Sequence, residues 1–570
     1  MPHQDIQEVI VEDGAALNTR TMAESRKLIV SDEPNFPSYV RPEWRTWLPD
    51  LNLLFRLLAG TRTMQSHARE YIRQWADEDP KVYRIRSRSE QVFEGLGRTL
   101  SAAIGMLFGK PPKIEWPDDT MRAIAEESWD TNIDGGGTSG NVFLKRFTEA
   151  SLRDGLGVIL VDFPTAPLDQ ETGRPREVSS AEEEELGLKP TWARYDRMMA
   201  RNWQTGRLDN QDVLTQLTLY EPVYVRSGTF GVRWENRWRI LTLPAIVEDP
   251  LEPEVVTVRA EWQLWRLLPD KTGSEMADFQ MIGTGVFRNK DGEALRRLPV
   301  SIAYTGRKEG ALVAVPPLLG VAWANLGLWQ ISTNVRFYLD LVSFPQPTII
   351  GDLAQVSGMD ENGNRITVPG KLKVGPMVVV HLSAGSDDVG PSEYKFTVPT
   401  SDGFVPNEKA MRAKREDIAA LGMSFLDRDK RAAETAEAKR LDAQAENATL
   451  ATAAQGVDDA INDAWIIHAM YLGLEKSAAP TVTLNRDFEA TVMDAQMMMA
   501  WISGVEKAGM PPHVLLEAWQ KGGQIPEGID IEELAMEMLA NAEAILAQQE
   551  ADREAEMARL NAGPPEGEEE

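Results

Sequence analysis

The stretch from Asn407 to Leu474 decides the fold, because it contains two helix-forming segments joined by a short charged break. The first segment reads NEKAMRAKREDIAALG and is followed by MSFLDRDKRA; the second reads ETAEAKRLDAQAENATLATAAQGVDDAINDAWIIHAMYLGL. A helix of about forty residues would be about 60 Å long, whereas most helices of globular proteins have about a dozen residues. So long and alanine-rich an element predicts a packed structural strut and favours a role in assembly over an enzyme pocket.

The composition is that of a globular protein with two to four domains. The chain has 570 residues, of which 42% are hydrophobic, and this is enough for a sizeable core. It contains no cysteine, which excludes disulfides and thiolate metal sites. The formal charge is −28, and DNA binding through phosphate neutralisation needs an excess of Lys and Arg. Tight sequence-specific DNA binding is therefore not expected, but a protein past which DNA slides without sticking is compatible with this charge.

The best candidate for a membrane span is the uncharged segment Ala311–Trp329. Pro316, Pro317 and Gly320 interrupt it, whereas a spanning helix needs about twenty apolar residues in an unbroken run. We therefore expect a buried or subunit-facing helix in this region and no membrane partner.

Hydrophobic spacing predicts an α+β chain that is mostly helical. Apolar residues three and four positions apart predict helices over 42–75, 87–109, 118–129, 141–155, 317–342, 407–422, 434–474, 487–509, 511–523 and 529–560. The run GVILVDFP (157–164) predicts a buried strand, and alternation over 216–266 predicts an antiparallel sheet with one face in solvent. Within a second β-rich segment, residues 371–385 give the clearest strand pair.

Motifs that would bind a nucleotide or a metal are incomplete. GMLFGKP (105–111) lacks the spacing and the hydroxyl of a phosphate-binding loop, so a helix end is favoured there. The loop DGGGTSG (134–140) could present backbone amides to an anion, but a flexible turn is the favoured interpretation. The five histidines show no metal-ligand spacing, and His468 lies on an apolar stripe where a packing role is expected. We therefore predict no enzyme, no cofactor and no metal site.

Arg84, Arg86 and Arg88 alternate in KVYRIRSRSE (81–90) and would share one face of an extended segment. In so acidic a chain, a solvated edge or intersubunit salt bridges are favoured over contact with nucleic acid.

The order of elements resembles that of portal proteins of tailed bacteriophages, the rings at the head-to-tail connection. That order is a helix, a β-rich excursion, a returning helix, a short loop, a very long helix and a helical C-terminal block. Several local sequences resemble one subgroup of that family. They are Met106–Pro112, Asp134–Gly137 followed by Gly157–Pro164, Pro316–Leu319 with Asn325, Phe344–Thr348 ending at Gly351, and Glu434–Ala436 at the start of the long helix.

The resemblance implies a homo-oligomeric ring, usually of twelve copies, around a DNA tunnel at one vertex of the capsid. It implies a wing, two stem helices, a β-rich clip, a long wing helix and a helical crown. The implied division is 1–35 flexible arm, 36–316 α/β wing, 317–342 first stem helix, 343–405 clip, 406–422 second stem helix, 423–434 tunnel loop, 435–476 long wing helix, 477–549 crown and 550–570 acidic tail. Gly456 is a position at which the long helix could bend.

The implied function is structural: a conduit for viral DNA during packaging and ejection. The implied partners are further copies of the chain, double-stranded DNA bound without sequence preference, terminase, major capsid and scaffold proteins, and a head-tail adaptor. The implied location is the capsid vertex of the virion, and the host cytoplasm during assembly. The candidates for contact with passing DNA are Lys409, Arg412, Arg428, Lys430 and Arg431.

Ordinary intersubunit ion pairs are an equal alternative for these five side chains, because exposed pairs are common and individually weak. For the whole chain, one alternative is a capsid-associated minor head or scaffold-like protein. A DNA-packaging enzyme subunit is a second alternative, against which the lack of a phosphate-binding loop counts.

Overall fold

The fold is described here from a computed structural model of the protein. The described residues are 29–164, 188–208, 210–247, 256–269, 271–343, 346–350, 355–359, 365–369, 393–397, 404–422, 436–486, 511–521 and 531–561. The chain divides into two compact units, Met1–Arg486 and Asp487–Glu570, and each is described by itself.

The helices of the first unit range from single turns to an element of 36 residues. They are α1 Pro42–Ala59, α2 Thr61–Ser66, α3 Ala68–Tyr71, α4 Pro80–Arg86, α5 Gly95–Leu107, α6 Asp119–Thr131, α7 Gly140–Asp154, α8 Leu319–Ser343, α9 Phe404–Leu421 and α10 Ala436–Tyr471. Short 3-10 turns occur at Met276–Asp278 and Lys476–Ala478. The second unit contains α11 Pro512–Lys521 and α12 Ile531–Asn561, which pack against each other.

The described strands pair antiparallel throughout. They are β1 Lys113–Glu115, β2 Leu156–Asp162, β3 Thr191–Asp196, β4 Ala200–Leu208, β5 Gln211–Tyr220, β6 Val223–Ser227, β7 Gly231–Glu235, β8 Arg237–Thr242, β9 Ala245–Val247, β10 Val256–Val258, β11 Glu261–Leu267, β12 Phe279–Val286, β13 Val300–Tyr304, β14 Arg307–Gly310, β15 Val313–Val315, β16 Gln346–Ile350, β17 Gln355–Met359, β18 Arg365–Pro369, β19 Glu393–Thr397 and β20 Thr481–Thr483. The larger sheets have the orders β12-β11-β8-β5-β4 and β13-β2-β3, and the other strands form pairs.

The predicted α+β class is confirmed as a mixture of 48% helix and 24% strand. The long helix, the buried strand β2 and the antiparallel sheet around 216–266 were predicted correctly. The predicted helix 487–509 and strand pair 371–385 lie outside the described residues. Among the described residues, none of the helices has both the length and the hydrophobicity needed to cross a membrane.

The prediction of one continuous helix over 42–75 was wrong. Gly60 ends α1 with a φ of 89°, a left-handed value that side chains other than glycine rarely adopt, and two short helices follow. The predicted helix 87–109 starts only at Gly95.

The strand β20 was missed by sequence reasoning. It pairs with β1, more than 360 residues earlier in the chain, and local patterns carry no signal for such a pairing. In the second unit, α12 (Ile531–Asn561) agrees with the predicted helix 529–560 to within two residues.

The loop after α6 is not available as an anion site. The Asp134 carboxylate accepts hydrogen bonds from the amides of Gly136 and Thr138, and Asn132 accepts one from Gly137. These amides are therefore satisfied within the loop, which supports a structural turn over a phosphate-binding role.

The long helix α10 packs directly against strand β13 at Gly456. A Cβ atom at Gly456 would lie 2.0 Å from the carbonyl oxygen of Tyr304 and 2.9 Å from its carbonyl carbon. One turn further on, the Ser301 hydroxyl donates to the Ala460 carbonyl at 2.7 Å. The helix continues through Gly456. A glycine is needed there because the backbones of α10 and β13 approach each other closely, and a bend in the helix is not needed to explain it.

The C-terminal half of α10 lies in a core of aromatic side chains. Trp465 is fully buried, with ring centroids 5.0 Å from Trp192 and 5.5 Å from Trp129. His468 is 2% exposed, and the indole N–H of Trp192 donates to its Nδ1 at 3.2 Å. The packing role predicted for His468 is thus confirmed, with Trp192 as its partner. Burial lowers the pKa of His468 from the ordinary 6.5 to about 3, because it disfavours the charged imidazolium.

We expect Gly456→Ala to destabilise the first unit by about 1–3 kcal/mol or more, because the added methyl group would overlap the Tyr304 carbonyl. Chemical denaturation followed by circular dichroism measures the change. Gly105→Ala is the matched control, since it is the same change within helix α5 with no atom within 4 Å of the new Cβ. The control should be neutral or stabilising by about 0.5–1 kcal/mol. Equal effects of the two substitutions would contradict the proposed packing.

We expect His468 to make stability depend on pH. Its pKa is lower in the folded chain than in the unfolded chain, so the unfolded state takes up the proton first and stability falls as the pH drops from 6.5 towards 3. Between pH 7.5 and 5.0 the loss from this group amounts to about 2 kcal/mol. Urea denaturation at both pH values compares the wild type with His468→Gln, whose amide oxygen can still accept from Trp192. A pH-independent difference between the two proteins would count against this assignment.

Candidate assembly and DNA-facing site

Helices α8 and α9 together form a helical hairpin, and the functional prediction rests on this pair. A Cβ atom at Gly320 would contact Leu421, and one at Gly327 would contact Lys414 at 3.6 Å. Because the earlier position on α8 meets the later position on α9, the two helices are antiparallel. The observed bounds, Leu319–Ser343 and Phe404–Leu421, lie within three residues of the predicted helices 317–342 and 407–422.

One side of α8 is buried against the helices of the first 110 residues. Val321, Leu328 and Trp329 lie in one hydrophobic cluster with residues of α1 and α5 and with Ile418 of α9. Of the two arrangements predicted from the sequence, a buried helix or a subunit-facing helix, the chain itself provides the first over most of α8. The sequence pattern of α8 does not show which of its sides is buried; the packing of the other helices decides this.

Asn325 lies inside this buried interface. It is 1% exposed, and neither its amide nitrogen nor its carbonyl oxygen has a hydrogen-bond partner among the described residues. A Cβ atom at Gly95 would lie 2.7 Å from Oδ1 of Asn325 and 2.9 Å from Ile418. The start of α5 thus approaches both hairpin helices as closely as glycine allows.

Large apolar side chains remain exposed at both ends of the hairpin. Trp323 on α8 is 54% exposed and Leu421 on α9 is 56% exposed. Leu421 lies beside Gly320, which is one helical turn from Trp323. Leu339 and Val405 are exposed at the opposite end. The solvent-facing apolar surface of α8 is therefore small, and its largest side chain, Trp323, lies in the same helix as the buried Trp329.

The structure places two of the five predicted DNA-facing residues. Lys409 and Arg412 are exposed on α9, one helical turn apart. Arg412 forms an ion pair with Glu416 at 3.0 Å, in which both side chains are more than half exposed. Arg428, Lys430 and Arg431 lie outside the described residues.

The basic side chains of α9 are distributed around the helix. Lys414 pairs with Asp417 at 2.9 Å, and the guanidinium of Arg415 lies 5.9 Å from the ring centroid of Phe93. With the Arg412–Glu416 pair, three of the four basic side chains are engaged within the chain, whereas Lys409 has no ion-pair partner among the described residues. Exposed pairs such as Arg412–Glu416 are individually weak, so Arg412 can exchange its carboxylate for another anion at little cost.

The alternating arginines Arg84, Arg86 and Arg88 do not share one extended face. They lie in and just after helix α4, which corrects the extended interpretation. Arg86 is buried and donates to both carboxylate oxygens of Glu78, at 2.7 and 2.8 Å, and to Asn334 of α8. The middle arginine is therefore paired within the chain, and its hydrogen bond to Asn334 ties α4 to α8. Arg84 and Arg88 are exposed.

The described residues contain no cluster of three or more His, Asp or Glu side chains that could hold a metal ion. Several of the buried charges form ion pairs near the sheets. Arg153 contacts Asp154 and Asp196, and Arg239 contacts Glu221 and Asp162. Burial raises the pKa of Asp154 and of Asp162, and the neighbouring guanidinium of each opposes that rise. Their geometry accounts for these charges as structural pairs.

The sequence model of one family, described as "Domain of unknown function (DUF4055)", matches residues 317–472. The matched region begins just before α8 and ends just after α10, so it contains both hairpin helices, the strands between them and the long helix. A comparison with curated proteins found no match. Over these residues, about a quarter of the chain, the protein is therefore similar to an uncharacterised domain family.

Proposed function

We propose that the chain is a portal subunit, which self-associates into a ring and forms the conduit for double-stranded DNA at a capsid vertex. The order of elements in the matched region carries this proposal. An outgoing helix, a strand-rich excursion, a returning antiparallel helix and a long helix follow one another there. In portal terms, α8 and α9 are the stem, β16–β19 belong to the clip, and α10 is the wing helix. Residues 477–549 are the crown under this proposal.

The exposed apolar ends of the hairpin support self-association. Trp323 and Leu421 lie on the outside of a hairpin whose inner side already packs on its own chain. Exposed aromatic and aliphatic groups of this size are typical of protein interfaces. A ring closes through two different surfaces of each copy, so such a patch would be covered by another surface of the next subunit.

The charge distribution supports a passage that does not retain DNA. The chain carries 88 acidic against 60 basic residues, so most of its surface would repel a polyanion. Lys409 and Arg412 on α9 provide local positive charge at the proposed tunnel, with Arg428, Lys430 and Arg431 proposed for the loop that follows. Repeated around a ring, such single charges would give weak contacts with phosphates that carry no sequence information.

The proposed partners follow from this role. They are further copies of the chain, double-stranded DNA, terminase during packaging, major capsid and scaffold proteins during assembly, and a head-tail adaptor afterwards. The proposed location is the virion, at the capsid vertex.

We expect the purified chain to form rings with a central hole, seen in negative-stain images, with a multimeric mass by mass photometry. Trp323→Glu combined with Leu421→Glu should shift the mass towards the monomer, because two carboxylates would replace the apolar contact. Ile124→Glu is the matched control, since Ile124 is exposed on α6, away from the hairpin. Circular dichroism checks that each variant folds. A wild-type chain that stays monomeric at micromolar concentration, with and without capsid partners, would refute the ring.

We expect Lys409→Glu with Arg412→Glu to leave the ring intact and to weaken its contact with DNA. Fluorescence anisotropy with a short duplex, at several salt concentrations, measures the affinity and its salt dependence. Loss of two phosphate contacts per binding site should lower the slope of log affinity against log salt by about 2. Arg207→Glu with Lys308→Glu changes the net charge equally on exposed strand residues and serves as the control. If both double variants behave alike, net charge alone explains the effect and α9 does not contact DNA.

A further inference from the structure

A basic cavity that the proposed conduit does not use lies between α2, α3 and α4. Its volume is about 470 Å³, within the usual range for small-molecule sites. Three arginines line it: Arg69 on α3, Arg84 on α4 and Arg88 just after α4. No Asp or Glu side chain contributes to the lining.

The three arginines lack carboxylate partners in the part of the chain that the structure describes. This is unusual in a protein with 88 acidic residues against 60 Lys and Arg. Neighbouring arginines are paired: Arg86 with Glu78, and Arg56 with Glu70. The cavity is therefore a local positive region within a strongly acidic chain.

The cavity places three arginines around one small space. A sphere of 470 Å³ is about 10 Å across, close to the Debye length of about 8 Å at physiological salt. An anion bound within this space would be attracted by the arginines that line it with only partial screening by salt.

The frame around the cavity is fixed by contacts that do not involve these three guanidinium groups. Arg86 holds α4 through Glu78 and Asn334, with its guanidinium 4.0 Å from the ring centroid of Trp75. On the other side, the Gln65 amide donates to the carbonyls of Arg88 and Glu90 at 3.1 and 3.2 Å. The chain segments that carry the arginines are thereby held in place, while the guanidinium groups remain available to a ligand.

Guanidinium groups recognise oxyanions, because their planar N–H donors match pairs of carboxylate or phosphate oxygens. A small phosphate group suits this concave site better than a macromolecular partner does. An acidic segment of a second copy would bring that copy's formal charge of −28 with it, and a long duplex would meet the acidic surface around the cavity. A compact phosphate meets the three arginines alone.

We propose that this cavity binds a phosphate-type oxyanion, held by Arg69, Arg84 and Arg88. The ligand is either free phosphate or the phosphate group of a short nucleotide segment, which present the same oxygens to the arginines. The proposal is independent of ring formation, since every lining residue belongs to one subunit.

Isothermal titration calorimetry of the full-length chain with inorganic phosphate tests the site, in a buffer that contains no other oxyanion. The variant Arg84→Gln with Arg88→Gln removes two of the three charges; both side chains are exposed, so the fold should be retained. Arg122→Gln with Arg226→Gln is the control, because it removes the same charge from exposed residues outside the cavity. We expect phosphate binding to weaken at least about tenfold in the first variant and to be unchanged in the control. Arg84→Lys with Arg88→Lys should restore part of the affinity.

A second titration, with a 5′-phosphorylated four-nucleotide DNA strand and its unphosphorylated counterpart, distinguishes the two sources. Binding of both strands that depends on Arg84 and Arg88 would identify a nucleic-acid phosphate, whereas binding of inorganic phosphate alone would identify the free anion. Absence of phosphate binding at millimolar concentration, or equal binding by all variants, would overturn the proposal. Binding of a glutamate-rich peptide in place of phosphate would also overturn it, in favour of a protein partner.

Discussion

The contact between α10 and strand β13 is the constraint on which the described first unit depends. At Gly456 the helix backbone lies against the Tyr304 carbonyl, closer than any side chain would permit. From this point α10 runs into the aromatic core around Trp465. The pair Arg297–Asp463, at 2.7 Å, ties the helix to the segment just before β13. Because β13 pairs with β2, whose residues from Leu156 to Val161 are buried, helix and sheet share one core.

The same helix also orders the end of the first unit. Asp458 accepts a hydrogen bond from the Leu484 amide and pairs with Arg486, while Asn462 exchanges hydrogen bonds with the backbone of Val482. These contacts hold β20 in position to pair with β1. Buried ionic and amide groups of this kind add little net stability, because desolvation offsets much of their attraction. Their effect is to fix which chain segments meet.

Sequence patterns predicted the elements that follow from local periodicity. The helices α8, α9 and α10 each show apolar spacing over several turns, and β2 is a continuous apolar run, so their positions were found within a few residues. The break at Gly60 was missed because a glycine inside an apolar pattern is compatible with a helix until its φ is known.

Features that depend on distant residues could not be predicted in the same way. The pairing of β1 with β20, the burial of Arg86 against Asn334 and the close approach at Gly456 each join segments more than 100 residues apart. Similarly, Trp323 and Trp329 are equivalent in the sequence pattern of α8, and only the packing of α1 and α5 makes one exposed and the other buried. Of the predicted DNA-facing residues, exposure is established for Lys409 and Arg412.

The basic side chains of α9 and the arginines of the cavity differ in whether they pair with carboxylates, and this bears on what each could bind. On α9 the charges stand on the outside of a helix and partly pair with Glu416 and Asp417. A polyanion passing such a surface would exchange with these carboxylates at low cost and would not be held. The cavity between α2, α3 and α4 is lined by three arginines and by no carboxylate. Several arginines around one concavity favour a small anion that stays bound, because all of them attract it. Net charge describes the surface as a whole, whereas the local pairing of each arginine distinguishes these two sites from each other.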